Sequence, residues 1–135
     1  MNAHDPVVAI TLAVRDLAAG RAFYAALGWV TDEPLTSEDA VWVTLTPHLR
    51  VVLRTAWSFR DVAGREVAET GPTAEVVMSL TLDSRFHVDQ AAERALGAGG
   101  VEAREALDHG WSYSRLVADP DGHLWELTWT DDDAA

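Results

Sequence analysis

The sequence predicts an α+β fold of two similar βαβββ units, with a curved mixed sheet around a shared cavity and the helices outside. Three observations carry this. The order strand, helix, strand, strand, strand occurs twice in 135 residues. Leu12-Ala13-Val14-Arg15-Asp16 through Ala26-Leu27-Gly28 is matched, with one residue's slip, by Leu80-Thr81-Leu82-Asp83-Ser84 through Ala95-Leu96-Gly97; such self-similarity marks a repeated unit. Each unit's helix covers one face of its sheet, so the other face needs a partner. Unit one is expected at about 7–56, a linker at about 57–74 and unit two at about 75–130, in one domain over 1–135.

The elements follow in order. Val7 to Val14 is β-branched and apolar, as in a strand buried on both faces. Asp16 offers an oxygen to cap a helix in which Ala19, Phe23, Tyr24 and Leu27 recur at helical spacing. Gly28 suits the helix end, where positive φ is wanted. Trp29 to Thr31 is a short strand. Pro34 and Ser37-Glu38-Asp39 mark a turn, and Ala40–Leu45 and Leu49–Thr55 form a hairpin across Pro47-His48. Trp57 to Thr73 is polar, carries Gly64 and Gly71-Pro72, and reads as a linker with room for a short helical turn and as a candidate lid. Glu75 to Leu82 is the next strand, and Asp83 or Ser84 caps the helix whose stripe is Val88, Ala91, Ala92, Ala95 and Leu96. Gly97, Gly99 and Gly100 end it. Val101–Arg104, Trp111–Ala118 and His123–Trp129 are strands, the last two joined by the turn Asp119-Pro120-Asp121-Gly122.

Composition narrows the function. Ten basic against 22 acidic residues give a net charge of −12, which repels nucleic acid and anionic membranes. With no cysteine, disulfides and thiol catalysis are excluded. The start lacks the charged end and apolar run of a signal peptide, so the expectation is a cytoplasmic protein. Asp131-Asp132-Asp133 reads as a solvated tail.

Val14-Arg15-Asp16-Leu17 with Phe23-Tyr24 and Leu27-Gly28, and Asp119-Pro120-Asp121-Gly122-His123-Leu124-Trp125-Glu126-Leu127, resemble the first helix and the closing hairpin of the vicinal oxygen chelate superfamily. This superfamily holds glyoxalase I, the bleomycin-resistance proteins and extradiol dioxygenases. Asp108-His109-Gly110-Trp111 adds a likeness to a glyoxalase-like bacterial branch. The resemblance implies a homodimer, with a cavity often built from units of two chains. It also implies four metal ligands, on the first and fourth strand of each unit. Carried over, these fall on Ala9, Leu53, Val77 and Glu126. Only Glu126 can bind a metal, and a transition-metal site needs about three or four protein ligands. The expectation is therefore no metal and no cofactor.

Alternation along the last strand turns Trp125, Leu127 and Trp129 to the helix and Leu124, Glu126 and Thr128 to the cavity. Glu126 is read either as a carboxylate paired with an arginine such as Arg115, or as a ligand contact or general base. Trp42, Trp57, Trp111 and Tyr113 lie where they could wall a pocket for flat or cationic compounds. Trp111, Tyr113, Arg115 and Val117 share one face, assigned to the cavity. Thr11 adds an inward hydroxyl, and His109 a mobile loop group. The leading expectation is a metal-independent protein that binds, and sequesters, a cationic or aromatic small molecule. The rivals are a glyoxalase-like enzyme with Glu126 as base and Arg115 polarising a carbonyl, and a structural or regulatory partner.

Overall fold

Residues 5–132 are described by a computed structural model, whose chain divides into two units between Glu69 and Thr70. In the first, β1 (Val8–Ala13), α1 (Leu17–Ala26), β2 (Val30–Thr31), β3 (Ala40–Thr46), β4 (Leu49–Arg54) and α2 (Ala56–Ala63) follow one another. The sheet order is β1-β4-β3-β2, with β1 parallel to β4 and the other pairs antiparallel. The Asp16 carboxylate caps α1 by accepting from the amides of Ala18 and Ala19 at 2.9 and 3.3 Å, a contribution of about 1 kcal/mol. Gly20 brings α1 close to the sheet: a Cβ there would lie 3.1 Å from Leu53 Cδ1. Leu53 therefore faces α1. Through the register, its cross-strand partners Leu12 and Val41 and the buried Val43 and Val51 share that face. Thr11, Trp42, Val52 and Arg54 take the opposite face.

The second unit repeats the plan with β5 (Val77–Thr81), α3 (Arg85–Gly97), β6 (Val101–Asp108), β7 (Ser112–Ala118) and β8 (Leu124–Thr130). Its order is β5-β8-β7-β6, with β5 parallel to β8. Ser84 caps α3 by accepting from the His87 amide at 3.1 Å. Val88, Ala92 and Ala95 of α3 are fully buried, as are Val117, Trp125 and Leu127 of the sheet it covers. The two-layer α+β architecture of paired βαβββ units is the one the sequence predicts.

Three elements differ from expectation. Strand β1 is an edge strand, not one buried on both faces, and Val8 is 55% exposed. The expected linker opens with a helix of two turns, α2. Strand β6 runs to Asp108 rather than stopping at Arg104, because two register irregularities let it follow β7 farther.

The β7–β8 turn has a tight interior. Asp119 Oδ1 accepts from the amides of Asp121 and His123, both at 2.9 Å. Gly122 has φ +92°, and a Cβ on it would lie 2.7 Å from the Gly71 nitrogen. The Thr70 hydroxyl donates to the Asp121 carbonyl. Thr70 and Gly71, expected in a lid, are thus packed on this turn within the second unit. Among the described residues, no helix is long and apolar enough to cross a membrane.

Candidate functional site

Glu126 lies on the face of the second sheet turned away from α3, as alternation predicted. Its neighbours form a lateral row, with Ser79 on β5 and Leu116 on β7 opposite Glu126, and Arg104 on β6 opposite Leu116. Ser79 Oγ donates to Glu126 Oε1 at 2.9 Å. Arg104 Nη2 reaches over Leu116 to Glu126 Oε2 at 3.0 Å and to Ser114 Oγ at 3.4 Å, while Nη1 donates to the Glu105 carbonyl at 3.1 Å. The carboxylate and the guanidinium are each about 30% exposed. The row therefore presents spare acceptors on Glu126 and spare donors on Arg104, with no net charge.

Arg104 is the partner that sequence reasoning missed. Glu102 pairs with Val117 and Arg104 with Leu116, so two steps on β6 match one on β7. This bulge turns Arg104 to the face opposite Glu102, and a second irregularity follows before Leu107. Bulges re-aim side chains in this way, and strict alternation gives no sign of them.

The face holding Tyr113, Arg115 and Val117 was expected in the cavity and lies under α3 instead. Arg115 meets Asp89 and Glu93 of α3 at 3.1 and 3.0 Å and Glu102 of β6 at 2.7 Å. It does not pair with Glu126. Tyr113 donates its hydroxyl to Asp89 at 2.6 Å. The physical reason is that α3 offers acids at i and i+4, which neutralise an arginine beneath a helix. The Glu102 carboxylate, hydrogen-bonded to Arg115 and helped by Glu93 and Asp89, raises the guanidinium pKa. The hydrogen bond to Asp89, and then burial, raise that of Tyr113.

Trp111 is 52% exposed and stacks on His109, with centroids 6.2 Å apart. Their hairpin is held by Arg85, whose guanidinium takes Asp108 at 2.9 and 2.7 Å and the Gly110 carbonyl at 2.8 Å. Arg85 also lies 5.2 Å from the ring centroids of both Tyr113 and Trp129. The Arg85 bond, then the Gly110 amide, hold the Asp108 carboxyl well below the usual range. Thr11 and Trp42 lie on the face of the first sheet away from α1, both opposite Val52. Trp57 is exposed on α2, beside a surface depression lined by Arg60, Asp61, Arg65 and Glu66. The second unit thus joins Glu126 to Ser79, Arg104 and Ser114, and sets Tyr113 and Arg115 apart from it.

The register also corrects the metal positions. Ser79 pairs with Glu126, and Thr11, its counterpart in the repeat, pairs with Val52. The counterpart of Glu126 is therefore Val52, not Leu53, which faces α1. Ala9, Val52, Val77 and Glu126 offer one donor side chain, and among the described residues no three His, Cys, Asp or Glu side chains are grouped to hold a metal. The residues do not fit the family's metal centre.

Two βαβββ units with these sheet orders define the chain as a member of the vicinal oxygen chelate superfamily. Residues 9–128 match the glyoxalase-like domain, and the chain belongs to that family. A glyoxalase-related enzyme from Fulvimarina pelagi is 24% identical, with a TM-score of 0.80 over 92% of this chain and 87% of that one. A hypothetical protein from S. aureus is 24% identical, with a TM-score of 0.77 over 90% and 91%. A lactoylglutathione lyase from Agrobacterium tumefaciens is 18% identical, with a TM-score of 0.67 over 95% and 96%. At these identities the likeness is one of fold. No curated protein matches the sequence significantly.

Proposed function

We propose that the chain is a metal-independent small-molecule-binding protein that holds an aromatic guest without transforming it. One observation carries the reading: of the four positions where metal-using relatives place ligands, three are Ala9, Val52 and Val77, and the fourth, Glu126, is already bonded to Arg104 and Ser79. A cation gains little at Glu126, because Arg104 balances its charge. The aromatic part of the reading rests on Trp42 and on the exposed Trp111. The rival enzyme loses its polarising group, since Arg115 is committed to α3. A homodimer belongs to the same reading, on the family resemblance.

The test has two arms. Purified protein exposed to nickel, zinc and iron should hold no stoichiometric metal; one metal per chain sinks the reading. Tryptophan fluorescence should be quenched saturably by members of a panel of aromatic compounds, with the quenching retained in Glu126→Gln and reduced in Trp42→Ala or Trp111→Ala.

A further inference from the structure

In the first unit, Arg54 is an arginine short of partners. Its Nη1 donates to Ser58 Oγ of α2 at 3.1 Å. Its Nε is buried with no acceptor, and among the described residues Nη2 has none either. The carboxylates of Glu33, Glu66, Asp108, Glu126, Asp89, Glu93 and Glu102 are paired with other arginines. The position makes the missing charge more conspicuous. Arg54 ends β4 and reaches Ser58 in the first turn of α2. That turn holds no acidic residue, and Thr55 makes no side-chain cap. A helix start carries partial positive charge and unsatisfied amides, so a cation beside it is unfavourable unless an anion joins them. Arg54 as a whole is half-buried, but its Nε is not exposed, and a buried orphan donor marks a missing acceptor.

We infer that Arg54 receives a carboxylate of the guest. The argument is one of shape. With Nη1 committed to Ser58, the edge left free is Nε with Nη2, two parallel donors that match the two oxygens of a carboxylate. The cross-strand neighbours of Arg54 are Ala13 and Ala40, neither of which offers a side-chain acceptor. Trp42 lies on the same face, two residues along β3 from Ala40, within reach of a ring attached to the carboxylate. The inference rests on the aromatic guest proposed above and adds its charged group.

Benzoate and benzamide separate the two, since they share a ring and differ in charge. In the full chain, benzoate should move the Arg54 Nε–H resonance and bind at least about tenfold tighter than benzamide, the loss expected from a charge-assisted bond. Arg54→Met should abolish that preference. Without ligand, Arg54→Met should melt no lower than the parent, because it removes an unpaired cation. Equal binding of both compounds overturns the carboxylate and leaves the aromatic guest standing. Binding of neither overturns both. Displacement of benzoate by inorganic phosphate at equal concentration, or a long-lived water on the Nε–H that benzoate does not displace, overturns the assignment. A lower melting temperature for Arg54→Met with no benzoate response in the parent makes Arg54 a structural residue.

Discussion

Glu126 and Val52 occupy the same place in the two units, and the difference between them decides what each sheet face can bind. The face of Glu126 was legible in the sequence because Trp125, Leu127 and Trp129 alternate with it and need the helix. Its partner was not, because a bulge puts Arg104 out of step with Glu102. Tyr113 and Arg115 failed for a different reason. Alternation shows which residues share a face, not which face, and ion pairing to α3 reverses the usual inference from polarity. Arg104→Gln should leave Glu126 without a counter-charge. The expected cost is about 1 kcal/mol, since both groups are partly exposed, and tetramethylammonium should shift the Ser79 and Glu126 amides in the variant more than in the parent. Gly122→Ala meets both a left-handed φ and the Gly71 backbone. It should cost about 2–4 kcal/mol by urea unfolding, whereas Gly28→Ala, with φ +89° and open space, should cost about 1–2 kcal/mol.

At the scale of elements, the capped helices and the order of the strands were read from period and caps, while the edge position of β1 and the length of β6 were not, and the uncapped α2 was read as linker with room for a short helical turn. Its start gives no signal: Thr55 makes no capping bond and the first turn has no acid. Helix α3 is fixed to its sheet by two polar clusters as well as by its apolar stripe. Arg115→Met removes the cation shared by Asp89, Glu93 and Glu102 and should destabilise the chain by about 1–3 kcal/mol, with α3 amides losing hydrogen-exchange protection first. At the other cluster, Arg85 lowers the pKa of Asp108 in the folded state. A lowered carboxyl pKa adds stability above the unfolded value, about pH 4, that is lost as pH falls toward the folded value. The melting temperature of Asp108→Asn should therefore fall below that of the parent at neutral pH, and the gap should begin to narrow below about pH 4 and shrink further as pH falls toward the folded value. A gap that persists unchanged at acid pH would refute the ion pair as its source.

Over the whole molecule, charge and repeat have separate effects. A net charge of −12 repels itself, and salt relieves this as the Debye length falls from about 30 Å at 0.01 M to about 8 Å at 0.15 M. The melting temperature should rise across that range, and a fall would mean that the arginine ion pairs outweigh the repulsion. The repeat was the most legible feature, because each unit writes the same succession of apolar periods. The repeat also sets a timetable for synthesis. In each unit the first strand takes the last as its parallel neighbour, Val8 beside Leu49 and Val77 beside Leu124. A ribosome must therefore deliver β4 before β1 has any hydrogen-bonded neighbour, and β8 before β5 has one. Two nascent strands with apolar edges wait unpaired in turn, and a pause in translation within either unit would lengthen the time for which that edge is open to a chaperone or to another chain.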